Sequence, residues 1–137
     1  MSTNCNIAVQ RGTDDFEYIY CHSDGYPNGG EHAVGNILTK HYNDPSKVDS
    51  LIAGGDLSQL AKNIIPTSND HSFENRESGT CVFYHRDRGE PMEDVRSQRG
   101  NFQDLNNLAY TYIYREGTWV CFRGSTPVLI KTASGDS

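Results

Sequence analysis

The sequence predicts an α+β fold: one domain over residues 1–137, built as an antiparallel sheet with two or three short helices packed on one face. Three observations carry this expectation. Hairpin-like β signals stand at both ends of the chain, helical periodicity and capping residues are confined to the middle, and the β segments feed short turns rather than crossover helices. The length suits a single hydrophobic core of moderate size.

Asn6 to Gln10 and Phe16 to Cys21 read as two strands around Arg11-Gly12-Thr13-Asp14-Asp15, which predicts an opening hairpin. The turn-forming run from Asp24 to Gly30 leads into a helix from about Glu31 to Tyr42, whose apolar face is Val34, Ile37, Leu38 and His41/Tyr42. Asp44 and Pro45 fit the cap and first position of a second, brief helix with the stripe Val48, Leu51 and Ile52. Gly54-Gly55 supply the left-handed residue that ends it. Asp56-Leu57-Ser58-Gln59 has the pattern of a capping box and predicts a third helical turn through Leu60 and Ala61.

From Pro66 to Gly79 the chain is polar except for Phe73, which predicts a loop of above-average mobility. Thr80 to His85 reads as a strand, and a charged, weakly patterned stretch follows to Asn107 with a helical turn at Met92 to Val95. Leu108 to Tyr114 and Trp119 to Arg123 flank Arg115-Glu116-Gly117-Thr118 and predict a closing hairpin, with an edge strand at Val128 to Lys131.

A formal charge of −6 disfavours a general nucleic-acid binder, whose affinity comes from lysine and arginine displacing phosphate counterions. A basic substrate, or a basic patch on a partner protein, is electrostatically easier. The first residues lack the basic and apolar segments of a secretion signal, and no apolar run reaches membrane-spanning length, so a soluble, cytosolic protein is expected. Cys5, Cys21, Cys81 and Cys121 are scattered without Cys-x-x-Cys spacing and read as buried hydrophobes rather than metal ligands, reactive thiols or disulfides.

Chemistry-bearing residues concentrate twice. Tyr20-Cys21-His22-Ser23-Asp24-Gly25 and Tyr84-His85-Arg86-Asp87-Arg88-Gly89 each run from a β-prone segment through His-x-Asp into glycine, and residues two apart on a strand share a face. If the two corners adjoin, His22, Asp24, His85 and Asp87 could form a metal or acid/base array. Alternatively they bind a ligand or partner without chemistry, or each Asp simply closes a turn. His85-Arg86-Asp87 is a coincidental match to the kinase catalytic loop, since neither a glycine-rich loop nor Asp-Phe-Gly accompanies it. Gly25, Gly29 and Gly30 precede a helix but lack phosphate-loop spacing. Arg86, Arg88, Arg96 and Arg99 concentrate positive charge suited to carboxylates or phosphates, or to plain solvation. Tyr110, Tyr112 and Tyr114 share one strand face, as do Tyr18 and Tyr20; such faces stack on bases or partners, or lie beneath helices.

The words Tyr20 to Pro27, His41 to Val48, Leu51 to Ser58 and Tyr84 to Glu90, in that order, resemble a family of small proteins encoded by tailed bacteriophages and prophages, over most of the chain from Asn6 to about Phe122. Members typically carry tryptophan after the first histidine, where Ser23 stands here, and the spacing differs over residues 28–32. The resemblance implies a phage accessory protein acting in the host bacterial cytoplasm. The leading expectation is a non-catalytic inhibitor that binds and modulates a host protein in counter-defence, through Tyr20, His22, Asp24, Tyr26, Tyr84, His85, Arg86, Asp87 and Arg88. One alternative is a nucleotide-binding sponge for a host immune signal, with Arg86 and Arg88 on phosphate. The other is a small hydrolase or phosphodiesterase using His22, Asp24, His85 and Asp87. No cofactor is indicated, and the oligomeric state is not encoded in any motif.

Overall fold

A computed structural model of the chain describes residues 3–23, 25–28, 33–105 and 108–130. The described residues form β1 (Cys5–Gly12), β2 (Asp15–Ser23), α1 (Val34–His41), α2 (Pro45–Ala53), β3 (Leu57–Gln59), β4 (Val82–Phe83), α3 (Met92–Val95), β5 (Gln98–Gly100), α4 (Phe102–Leu105), β6 (Tyr110–Arg115), β7 (Thr118–Arg123) and β8 (Thr126–Val128). The class is α+β, sheet-dominated with some helix.

All eight strands join one sheet in the order β4-β3-β2-β1-β6-β7-β8, with β5 also paired to β2. The sheet is mixed, not antiparallel as the sequence predicts: β1 runs parallel to β6, and β2 parallel to β3. The reason is topological. Hairpin signals report local partners, and both expected hairpins form, β1 with β2 and β6 with β7. The central seam instead joins Cys5 to Tyr110 and Val9 to Tyr114, segments with no local sign of one another. Between β2 and β3 the two helices act as the crossover that a parallel pair requires.

Alternation along the strands divides the sheet into two faces. Cys5, Ile7, Val9, Ile19, Cys21, Tyr112, Tyr114 and Cys121 pack against Val34, Ile37 and Leu38 of α1 and Val48, Leu51 and Ile52 of α2. On the other face Ala8, Phe16 and Ile113 pack against Leu105 of α4. Helices therefore lie on both faces, a second correction. Four residues with one buried leucine are too few to show a helical period.

Tyrosine supplies polar ties as well as bulk. Buried Tyr112 donates its hydroxyl to the Gly25 carbonyl and Tyr42 to the Ala61 carbonyl, both at 2.6 Å, while Trp119 Nε1 donates to the Tyr42 carbonyl at 2.8 Å. Burial pushes both phenol pKa values far up, so these rings remain donors at any physiological pH. Asp44 caps α2 as expected, accepting the Ser46 amide hydrogen, and Gly55 with φ +84° turns the chain out of that helix.

The helical turn expected at Asp56 is instead strand β3. Tertiary pairing with β2 and β4 outweighs the local capping pattern, and the Asp56 carboxylate accepts the amide hydrogen of Tyr20 at 2.9 Å rather than one of its own helix. The strand expected at Thr80 to His85 shortens to Val82–Phe83, because the chain from Tyr84 folds into a turn. Residues 66–79 hold no helix or strand, yet they are tied. Glu77 accepts from Thr67 N, Ser68 N and Thr80 Oγ1 at 2.9, 2.7 and 2.7 Å. The four cysteines are free and buried, with Cys5 directly opposite Cys21. Among the described residues no helix is long and apolar enough to cross a membrane.

Candidate functional site

Because β2 and β4 are antiparallel across β3, the two His-x-Asp corners leave the sheet in opposite directions. Ser23 pairs with Gln59, and Gln59 with Val82, so β2 exits where β4 enters; Tyr84 then bonds the Asp56 carbonyl at the other end of β3. His22 and the His85–Asp87 turn therefore stand at opposite ends of β3, although Tyr20 and Tyr84 come near one another on one side of the sheet. Asp24 lies outside the described residues. Tyr26 is 44 % exposed, and its ring stands 6.5 Å from Tyr110, on the β6 side and away from Tyr84.

Of the second corner, Asp87 turns inward. Its side chain is 3 % exposed and accepts Phe83 N–H at 2.8 Å and both Arg86 Nε and Nη2 at 2.9 Å, with His71 Nε2 at 3.3 Å. Burial pushes the Asp87 carboxyl up, but the Arg86 fork and the Phe83 amide outweigh it and hold the group below the usual carboxylate range. Arg86 is spent on the same knot, its Nη1 donating to the Ile64 carbonyl and its Nη2 also to the Cys81 carbonyl. His71 Nδ1 accepts the Glu77 amide hydrogen, so Nε2 carries the proton and faces Asp87 and the Cys81 carbonyl. This group ties together the backbone at Ile64, Glu77, Cys81 and Phe83, with the imidazole 1 % exposed and engaged at both nitrogens. His85 is exposed, its Nδ1 bonded to the Glu90 carbonyl at 2.8 Å.

A different set of residues does converge. On the side of the sheet away from α1 and α2, Tyr18, Tyr20 and His22 alternate along β2, Ser58 follows on β3, and the Tyr84 hydroxyl bonds Ser58. Tyr20 and His22 share a hydrogen bond of 2.9 Å between the phenol and Nδ1. Beside them two guanidiniums lie over the Phe73 ring, Arg76 at 4.7 Å and Arg88 at 4.9 Å from its centroid, with the Tyr84 ring 6.0 Å away. Arg76 is fixed by bonds to the Phe73 carbonyl, Gln59 and Ser58, whereas Arg88 has a half-exposed side chain and one long contact to Glu90. Burial, then the nearby Tyr20, raises the Tyr84 phenol pKa.

Next to Tyr20 the face sinks into a recess of about 200 Å³ lined by Asn6, Tyr18, Tyr20, Asp56, Gln98, Asp104 and Leu108. Tyr20 belongs to both parts, which makes the face continuous. Of the residues expected at a site, Tyr20, His22, Tyr84 and Arg88 lie on it; His85, Arg86 and Asp87 form the turn behind it. Phe73, Arg76 and Asp56 were not legible as site residues, although a lone aromatic in a polar loop was a usable signal for Phe73. No group of three or more metal-ligating side chains occurs among the described residues.

The geometry thus defines an α+β chain with an open aromatic and arginine-bearing sheet face. Comparison with protein-family models, curated proteins and solved structures returns no match.

Proposed function

We propose that this chain is a non-catalytic binding protein whose open face docks on a host bacterial protein and modulates it, in the setting of phage counter-defence that the sequence resemblance implies. The observation that carries the reading is the Arg76–Phe73–Arg88–Tyr84 stack beside Tyr20. Tyrosine, phenylalanine and arginine are the residues enriched at protein interfaces, and here their rotamers are held by mutual stacking before any partner arrives. A surface ordered in advance loses less side-chain entropy on association.

The test is a pull-down from bacterial lysate on the immobilised chain, comparing wild type with a Tyr84→Ala/Arg88→Ala double variant and an Arg123→Ala control on β7. Loss of two anchors worth about 2 kcal/mol each, about 4 kcal/mol together, weakens binding on the order of a thousandfold, so a specific host protein is retained by wild type and control and lost by the double variant. The reading falls if wild type and double variant retain the same proteins. It also falls if mass analysis of the denatured chain finds a stoichiometric nucleotide, or if the chain turns over a phosphodiester and loses that activity in His22→Ala.

A further inference from the structure

The recess beside Tyr20 has the chemistry of a cation socket. Two carboxylates, Asp56 and Asp104, reach it, and among the described residues its lining includes no lysine, arginine or histidine. Asp56 is half-buried: one oxygen accepts the Tyr20 amide hydrogen, and among the described residues no ion pair involves the group. Asp104 Oδ2 accepts the Asn101 amide hydrogen as part of the α4 cap, which fixes the carboxylate in place at the rim. Tyr18 and Tyr20 contribute ring surface, and the Tyr18 hydroxyl donates to Gln98 Oε1 at 3.2 Å, so the polar wall is oriented too.

We propose that this recess receives the guanidinium or ammonium group of a basic side chain presented by the partner protein. The fit is one of size, charge and surface. A volume of about 200 Å³ is below the roughly 300–1,000 Å³ of pockets that enclose whole small molecules, but it admits the end of an arginine or lysine side chain. Carboxylates at floor and rim repel phosphate and attract a cation, and the flanking tyrosine rings add cation–π attraction. Burial pushes the Asp56 carboxyl above its ordinary pKa despite the Tyr20 amide. That is the mark of a carboxylate desolvated without a counter-charge, and an entering cation supplies one.

This inference deepens the binding reading above, and its experiment contains no host protein, so the two can fail separately. The labelled chain is titrated by NMR with Nα-acetyl-arginine methylamide, the lysine equivalent, agmatine, and the uncharged glutamine equivalent. The arginine or lysine probe shifts the backbone amides of Tyr18, Tyr20 and Gln98 saturably, and the glutamine probe leaves them in place. Asp56→Asn and Asp104→Asn each weaken the basic probe about tenfold or more; both substitutions keep the oxygen that accepts a backbone amide, so the fold survives. The proposal is overturned if the glutamine probe shifts the same amides equally, or if the basic probes bind the Asp56→Asn/Asp104→Asn double variant as they bind wild type. Tighter binding of agmatine than of the arginine probe overturns the side-chain source and assigns the recess to a free amine. A pull-down that depends on Tyr84 together with a silent titration leaves the docking face standing and removes only the socket.

Discussion

Replacing Asp87 with alanine tests whether the inward-facing corner is structural. The carboxylate satisfies the buried Phe83 amide at 2.8 Å, and losing that acceptor leaves a desolvated donor worth about 1–3 kcal/mol. It also separates Arg86 from its counter-charge. That side chain is one-third exposed and keeps the Ile64 and Cys81 carbonyls, so water and backbone compensate and only about 0.5–1 kcal/mol is added. The sum is about 2–4 kcal/mol, a large part of the roughly 5–15 kcal/mol that holds a typical domain together. Urea unfolding should show a lower midpoint at unchanged slope, and Tm should fall by about 10 °C. Asp87→Asn, which keeps one acceptor oxygen, should cost about half as much. An Asp87→Ala midpoint within 0.5 kcal/mol of wild type would refute the reasoning, because it would mean the carboxylate is free for another task.

Two further outcomes follow from the same framework. Hydrogen bonds from Thr67, Thr80 and Ser68 outweigh desolvation and hold Glu77 at a pKa of about 2, against about 4.3 for an unfolded glutamate. A depressed carboxylate contributes stability that is complete above the unfolded value and lost as pH falls through the folded one, so unfolding monitored from pH 5 to 2 should decline less steeply in Glu77→Gln than in wild type. In α1, a Cβ at Gly35 would collide with the Pro27 carbonyl and Cα, so Gly35→Ala should destabilise by about 1–3 kcal/mol in the same urea assay despite alanine's better helix propensity. Equal stability would show that the loop carrying Pro27 yields freely.

What could be read from the chain was what is local. Capping by Asp44, the apolar stripes of the two main helices and both hairpins are specified by neighbours in sequence, and they appear where the pattern places them. Asp56 shows where such reading stops: its capping pattern is genuine, but the backbone hydrogen bonds of two adjoining strands outweigh it. The site divides the same way. Alternation placed Tyr18 and Tyr20 on one face, whereas the inward turn of Asp87 depends on His71, sixteen positions earlier in a segment without periodicity. The second His-x-Asp word folds into a turn whose amide and guanidinium neighbours draw its carboxylate inside, and nothing within the word itself announces that.

The parallel seam between β1 and β6 has a consequence for synthesis. At about 5–20 residues per second, the amino-terminal hairpin waits on the order of 5–20 s for the strand that covers its open side. During that wait Cys5 to Val9 offer a row of free backbone donors and acceptors to any passing strand. Nascent chains stalled before Tyr110 should therefore be the ones that recruit chaperones or clump, and completing β6 should release them.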